Sequence, residues 1–383
     1  MQDTIVAPQN TVAIPQDTTD NTPVQRPIID NRPLLLSVFS GSGGLDLGFW
    51  QAGYKIVLAA DIFPAAVATH ERNHGPHGTA TKTLDLSTTT YEQLAEMWRG
   101  LTDRRPVGII GGPPCQAFSV SNVHKRDDDP RRLMLQHYAQ FIEGFNRDFD
   151  LDFFLFENVP GLLDEEHEET FNQFKELCSN AGFDITEKVI DAVHFGVPQC
   201  RERLILVGIN RQRFVGLEFS IPEGNLSEEP SIDALLSNLP EPVVNARNMT
   251  QKDIPFHPNH WTFKVKSAKF TNGSIQPGKA VGRSFRALAW GQPSWTVAYG
   301  HREVHVHPNC KRRLSIYEAM LLQGFPHEYV FEGNISDQVV LVSDAVPPPV
   351  SKALASAIGA ALNHNLQGKQ EENNNTAEMV AII

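Results

Sequence analysis

Leu34-Leu-Leu-Ser-Val-Phe-Ser-Gly-Ser-Gly-Gly-Leu-Asp-Leu-Gly48 decides the fold. Residues 34–39 form a short apolar run without polar alternation, which suits a strand buried on both faces. The glycines that follow let the backbone turn tightly and approach a ligand closely. Residues 44–52 then read as a helix, whose N-terminus would face that ligand. Nicotinamide enzymes and other nucleotide binders use similar turns, so the turn alone does not name the ligand.

The same alternation runs outward along the chain. Further apolar runs at 56–60, 107–110, 153–156 and 204–209 read as strands of a parallel sheet. Helical stretches lie between them at 64–73, 91–100, 132–145 and 168–181. The pattern predicts an α/β fold with a doubly wound, mostly parallel, Rossmann-like sheet. Ligands of such sheets bind beyond the carboxyl ends of the strands. After residue 209 the pattern fades into Pro, Asn, Gly and Ser with isolated aromatics, and helical character returns at 315–323 and 350–362. A catalytic domain over 33–209, completed by 310–365, is therefore expected beside a smaller, loop-rich domain over 210–309. Residues 1–32 and 366–383 are polar, aperiodic and read as disordered tails.

The 383 residues carry a formal charge of −12, which at first sight excludes a nucleic-acid binder. The charge is unevenly spread, however. Residues 245–313 hold 12 Lys and Arg against two acids, Asp253 and Glu303, a local +10 that leaves −22 for the remainder. A basic lobe on an acidic body fits contact with a phosphate backbone through one face, or a merely solvated basic surface. No apolar run approaches the roughly 20 residues of a membrane helix, and the N-terminus reads as lacking an export leader. The four cysteines (Cys115, Cys178, Cys200, Cys310) show no close pairing. That argues for a reducing cytoplasm and against a disulfide framework or a zinc site, so no metal is expected.

Chemistry-bearing residues follow the strands. Asp61, about 20 residues after the glycine turn, is placed to accept from both hydroxyls of a ribose. Asp85 ends the next segment and suits an adenine amino group. Either acid alone is more often a cap or turn residue. Gly111-Gly-Pro-Pro-Cys-Gln-Ala-Phe-Ser119 then follows a strand. Two glycines and two prolines make a stiff loop that ends on Cys115. A lone cysteine is commonly a small buried hydrophobe, but one at the end of such a loop is well placed as a nucleophile.

At this point the chain resembles the cytosine-C5 DNA methyltransferase family of bacterial restriction-modification systems. The Pro-Pro-Cys-Gln loop is similar to that family's catalytic loop, and the 39–48 turn to its methyl-donor loop, with Ser40 where alanine is commoner. Glu157-Asn-Val159, Gln199-Cys-Arg-Glu-Arg203 and Arg313-Leu-Ser-x-x-Glu-Ala-x-x-Leu-Gln-Gly-Phe-Pro326 match further family elements in order. The resemblance covers about residues 34–210 and 286–362. It departs at Ser343-Asp-Ala-Val-Pro347, where the family has Gly-Asn-Ala-Val-Pro. The departure puts the role of Asp344 toward the donor in question.

The resemblance implies S-adenosylmethionine as cofactor, held by Phe39, Ser42, Gly43, Gly44, Asp61, Ile62, Asp85, Leu86, Pro113, Asp344 and Ala345. It implies Cys115 as the nucleophile, with Glu157, Arg201 and Arg203 as its catalytic partners. Gln116, Ser119, Ser121 and Arg131 would contact DNA, and 210–309 would recognise the target sequence. The expected partner is double-stranded DNA, with a restriction endonuclease as functional counterpart. The enzyme is expected to be a cytoplasmic monomer that does not associate with membranes.

The chemistry explains the choice of residues. Carbon 5 of cytosine is a poor nucleophile until a thiolate adds at C6, and an ordinary cysteine is only a few per cent thiolate at neutral pH. Addition pushes charge onto N3 and O2, which calls for a shielded, protonated carboxyl and for N–H donors. Three other readings compete. One is a transfer-RNA methylating branch, whose Cys-Phe-Thr element is absent here. The others are a DNA-binding protein without catalysis, favoured only by Ser343-Asp344, and a nicotinamide dehydrogenase, which leaves Pro-Pro-Cys-Gln unexplained.

Overall fold

The computed structural model describes residues 30–114, 133–225, 227, 229–282, 284–296, 298–299 and 303–363. The expected tails fall almost wholly outside these residues.

Strands β1 (Leu34–Val38), β2 (Lys55–Asp61), β3 (Ala80–Thr83), β4 (Gly108–Gly111) and β5 (Phe153–Asn158) alternate with helices α1 (Gly44–Gln51), α2 (Pro64–His74), α3 (Tyr91–Leu101) and α4 (Leu133–Phe149). Helix α5 (Glu168–Asn180) leads into β6 (Phe183–Asp191), the two-residue β7 (Gln199–Cys200) and β8 (Glu202–Asn210). The seven-stranded sheet has the order β3-β2-β1-β4-β5-β8-β6. All five residues of β1 and all six of β5 are buried, as strands covered on both faces require.

Alternate side chains of each strand enter opposite layers. Leu34, Leu36 and Val38 pack with Leu94 and Trp98 of α3, Tyr138 and Phe141 of α4 and Phe174 of α5. Leu35 packs the other way, with Phe49 of α1 and with Leu354 and Ile358 of α9 (Pro348–Ala361). The last described helix thus covers the same sheet face as the first.

One expectation is corrected. The run 204–209 was read as a parallel strand, but β8 is antiparallel to both β5 and β6. A parallel return needs a crossover of a dozen or more residues, commonly a helix. Only ten residues separate β6 from β8, so the chain doubles back. Strands β3 and β6, at the two sheet edges, and helix α8 (Ile335–Asp344) were not read from the sequence at all.

Beyond β8 the structure is loop-rich, with paired two-residue strands and the single-turn helix α6 (Asp233–Leu236). Ile232, Leu236, Ile254, Trp261, Leu288 and Val304 form a core with α7 (Ile316–Leu322) and α8. The Trp261 indole donates to Gln338 Oε1 of α8 at 2.7 Å. Helix α7 starts on a reciprocal cap between Ser315 and Glu318. The buried Glu318 carboxylate takes two bonds from Arg312, at 2.8 and 2.9 Å. Arg313 donates to the carbonyls of Ser284 and Val304. These two arginines, counted above among the basic residues, are therefore structural rather than free for phosphate. Arg247, Lys252, Lys264, Lys266 and Lys279 remain exposed.

Candidate active site

The carboxyl ends of β1 to β5 open on a cleft of about 510 Å³. Ten of the eleven expected donor contacts line it: Phe39, Ser42, Gly44, Asp61, Ile62, Asp85, Leu86, Pro113, Asp344 and Ala345. Glu157 and Arg203 line it too. Gly43 and Arg201 do not.

The glycine turn owes its shape to close contacts. Phe39 holds a φ of 54°, a rare conformation for a bulky residue and one that marks a strained, functional turn. A Cβ on Gly44 would lie 2.2 Å from the carbonyl oxygen of Val346, so only glycine lets α1 start against the 344–346 segment. The Ser42 carbonyl accepts from the Tyr329 hydroxyl, and the Ser42 hydroxyl donates to Leu341 O of α8 at 3.4 Å. Gly43 serves as the N-cap residue of α1 behind the cleft wall.

At the end of β2 the two oxygens of Asp61 accept from the N–H groups of Gly41 and Phe63, each at 2.8 Å. Burial pushes this carboxyl up, while those N–H groups and that of Ile62 pull it down. Each oxygen keeps a lone pair for a ligand hydroxyl. Beside it Ile62 is 59% exposed, an uncovered apolar surface inside a cleft. Asp85 takes two hydrogen bonds from Ser87 on one oxygen, which hold its carboxyl below the usual range and ionised. The Ser40 hydroxyl, also on the wall, is buried without a hydrogen-bond partner.

Glu157 closes the far end of the cleft at the tip of β5. Only 7% of it is exposed, and burial pushes its carboxyl up. Arg203 and then Arg201 pull it down, and Asp344 pushes it up again. Arg203 Nε sits 2.9 Å from Glu157 Oε1. The other oxygen, Oε2, would be 2.8 Å from a Cβ on Gly112, so the absence of a side chain there lets the loop pass against the carboxyl. Asn158 Nδ2 donates to Pro113 O at 3.2 Å and ties that loop to β5. Arg201 does not line the cleft, although its charge helps to hold the Glu157 carboxyl down. Its buried guanidinium donates to the carbonyls of Ser343 and Ala345, at 2.8 and 2.9 Å, and so positions the turn that carries Asp344.

Cys115, Gln116, Ser119, Ser121 and Arg131 lie outside the described residues. Pro114, the residue before Cys115, lines the cleft. Gly112, Asn158 and Ser40 were not named as site residues from the sequence, although each sits within a quoted motif or one residue from a named contact. Contacts of a carboxyl with a bare Cα, or of an amide with a proline carbonyl, leave no mark in sequence spacing.

The family model for C-5 cytosine-specific DNA methylase matches residues 35–360. The Type II methyltransferase M.MthTI of Methanothermobacter thermautotrophicus is 30% identical over 85% of this chain and 96% of its own length. M.NmeDI of Neisseria meningitidis serogroup C, also named a Type II methyltransferase, is 29% identical over 88% of this chain and 86% of its own. Among solved structures, the S. pombe Dnmt2 methyltransferase shares the fold with a TM-score of 0.55 at 18% identity, over 87% of this chain and 99% of that one. With the matched region running through every strand end that lines the cleft, this chain belongs to the C-5 cytosine-specific DNA methylase family.

Proposed function

We propose that this chain transfers a methyl group from S-adenosylmethionine to carbon 5 of a flipped-out cytosine in double-stranded DNA, with Cys115 as the nucleophile. The observation that carries this reading is the Glu157 carboxyl. It is shielded from water, pinned by Arg203, and pressed against the Gly-Gly-Pro-Pro segment that leads into Cys115.

The residues of the cleft fit the donor. The two oxygens of Asp61 suit ribose hydroxyls, Ile62 and Leu86 offer an apolar wall to adenine, and Asp85 suits its amino group. The Ser40 hydroxyl is a buried donor in want of an acceptor. When bound, S-adenosylmethionine supplies a methyl group on a positively charged sulfur.

The chain's own groups prepare the cytosine. The Cys115 thiolate forms a bond to C6, and the displaced electron pair moves toward N3 and O2. Glu157, whose proton affinity is raised by burial, donates its proton at N3 and removes that charge. Arg203 holds the carboxyl in place and offers further N–H donors to the O2 side. After methylation the C5 proton leaves to solvent, the Cys115–C6 bond breaks, and Glu157 regains its proton. None of these contacts can be made inside a duplex, so the base is extruded at a cost of a few kcal/mol.

Residues 210–309 read the target sequence in this proposal, with exposed Lys264, Lys266 and Lys279 toward phosphates. The names of M.NmeDI and M.MthTI support a modification role in a restriction-modification system, paired in function with an endonuclease. The enzyme acts as a monomer in the cytoplasm. The test is methyl transfer from labelled S-adenosylmethionine to duplex DNA and to transfer RNA, with Cys115→Ala alongside. Label at C5 of DNA cytosine that the variant loses is the expected result. Label in RNA alone, or in DNA despite Cys115→Ala, refutes the proposal.

A further inference from the structure

The turn between β1 and α1 is held in a shape that its own backbone bonds do not secure. Phe39, Gly41 and Gly43 all take left-handed φ values, of 54°, 54° and 82°. Among the described residues, one backbone bond closes inside the turn, from Gly43 N–H to Ser40 O at 3.0 Å. Other polar groups of the turn find partners outside it. The Gly41 N–H meets Asp61, and the Ser42 carbonyl meets the hydroxyl of Tyr329, 287 residues along the chain.

Tyr329 is fixed on every side. It is buried, and its ring packs against Phe325 and Phe331 with centroids 4.7 and 5.8 Å away. Two asparagines pin the backbone that follows it. Asn73 of α2 donates to Val330 O at 2.9 Å and accepts from Val330 N–H at 3.0 Å. Asn259 does the same for Phe331, at 2.8 and 2.9 Å. The hydroxyl also meets His74 Nε2 at 3.2 Å. A phenol has one proton, and Tyr329 gives it to Ser42 O, so His74 is the donor of this second bond and carries its proton on Nε2. Burial keeps that ring neutral, lowering it to about 3. His70 stacks on it at 4.2 Å and is itself bonded to the buried Asp46 of α1 at 2.5 Å. A Cβ on Gly43 would stand 2.6 Å from His74 Nε2 and 2.8 Å from the Tyr329 oxygen, so the pair lies directly against the turn. Neither residue lines the cleft.

We propose that Tyr329 is a positioning residue for the methyl donor, acting through the Ser42 carbonyl and backed by His74. The proposal rests on the methyl-donor reading above. Without the hydroxyl, a buried carbonyl loses its donor in a turn that left-handed residues already strain. Ligand binding must then reorder the turn as well, which lowers affinity by the size of one net hydrogen bond, roughly three- to tenfold. Donor and product share every atom except the transferred methyl group, so both weaken alike. Glu157 and Arg203 stand elsewhere in the cleft, so the chemical step at saturating donor is spared.

Calorimetric titration of the full chain with S-adenosylmethionine and S-adenosylhomocysteine, beside steady-state transfer to duplex DNA and urea melts, tests this. Tyr329→Phe keeps the ring and removes the hydroxyl. It should weaken both ligands about three- to tenfold and raise the donor KM by the same factor, with kcat at saturating donor within about twofold of wild type. His74→Gln, whose amide can place an N–H where Nε2 stands, should keep most of the affinity. His74→Leu should lose it as Tyr329→Phe does. The control is Phe183→Leu, in the core on edge strand β6 with β4, β5 and β8 between it and β1. It should lower the urea midpoint and leave both Kd values alone. Wild-type affinity in Tyr329→Phe overturns the proposal, as does a fall in kcat with the donor KM unchanged. A loss of affinity in Phe183→Leu as large as that in Tyr329→Phe overturns it too, since general loosening would then explain both. Failure of wild type to bind either compound brings down the methyl-donor reading, and this proposal with it.

Discussion

Replacing Gly112 by alanine should cripple the enzyme without unfolding it. The added Cβ would stand 2.8 Å from Glu157 Oε2, where ordinary contact begins at 3.4 Å, so the carboxyl must retreat by about 0.6 Å. It cannot retreat freely, because Arg203 holds its other oxygen at 2.9 Å and the side chain is buried. A displacement of that size exceeds the roughly 0.5 Å tolerance of a working catalytic group and should slow methyl transfer about ten- to a hundredfold, or ~1.4–2.7 kcal/mol in the barrier. The backbone of Gly112 is not left-handed, so alanine should leave stability within about 1 kcal/mol. Steady-state and single-turnover transfer to duplex DNA, beside a thermal melt, would measure both. Gly100→Ala is the control, since a Cβ there meets nothing within 4 Å. The decisive comparison is a double-mutant cycle. If Gly112 acts only through Glu157, Gly112→Ala should cost nothing further in a Glu157→Ala background. Additive losses, or full activity in the single variant, would refute the reasoning.

Two other outcomes follow from the structure. Arg201→Met should remove both charge-assisted bonds to Ser343 O and Ala345 O and cost roughly 2–4 kcal/mol, read as a lower urea midpoint together with weakened donor binding; an unaltered midpoint would contradict the anchoring role. Burial lowers His74 to about 3, and His257 and His305 to about 4, against an ordinary 6.5. The unfolded chain therefore binds more protons between about pH 3 and 6.5, so their stabilising contribution is complete above 6.5 and lost as pH falls through that window. The two that sit near 4 cost up to roughly 3 kcal/mol each by pH 4. Urea melts at pH 7 and pH 4 would register this as a falling midpoint that His305→Asn partly flattens, and a midpoint indifferent to pH would count against it.

Much of the fold could be read from runs such as 34–39 and 153–156, because central strands covered on both faces must be apolar throughout. The same logic hid the edges. β3 is Ala-Thr-Lys-Thr with two exposed residues, and β6 spreads Asp184, Glu187 and Lys188 over its two faces. Neither presents an apolar run. The direction of β8 was misread because burial on both faces says nothing about polarity, which is set by the short return from β6. Helix α8 did leave a signal, the Asn334–Asp337 cap followed by Ile335, Val339 and Val342 on one face, which the sequence reading did not use. At the site, strand-end position picked out Asp61 and Asp85, and the resemblance to the family supplied the other residues that meet in the cleft. Neither told Arg203, which touches Glu157, from Arg201, which grips backbone carbonyls two residues along the same motif. Only the third dimension separates them.

The most direct test of the central claim is covalent capture. A duplex pool carrying 5-fluorocytosine cannot lose the group at C5 as a proton, so an enzyme that adds its thiol to C6 and methylates C5 stays bound. With S-adenosylmethionine present, mass spectrometry should find a one-to-one protein–DNA adduct mapped to Cys115, and Cys115→Ala should abolish it. Active methyl transfer with no adduct, or an adduct that survives Cys115→Ala, would contradict the account.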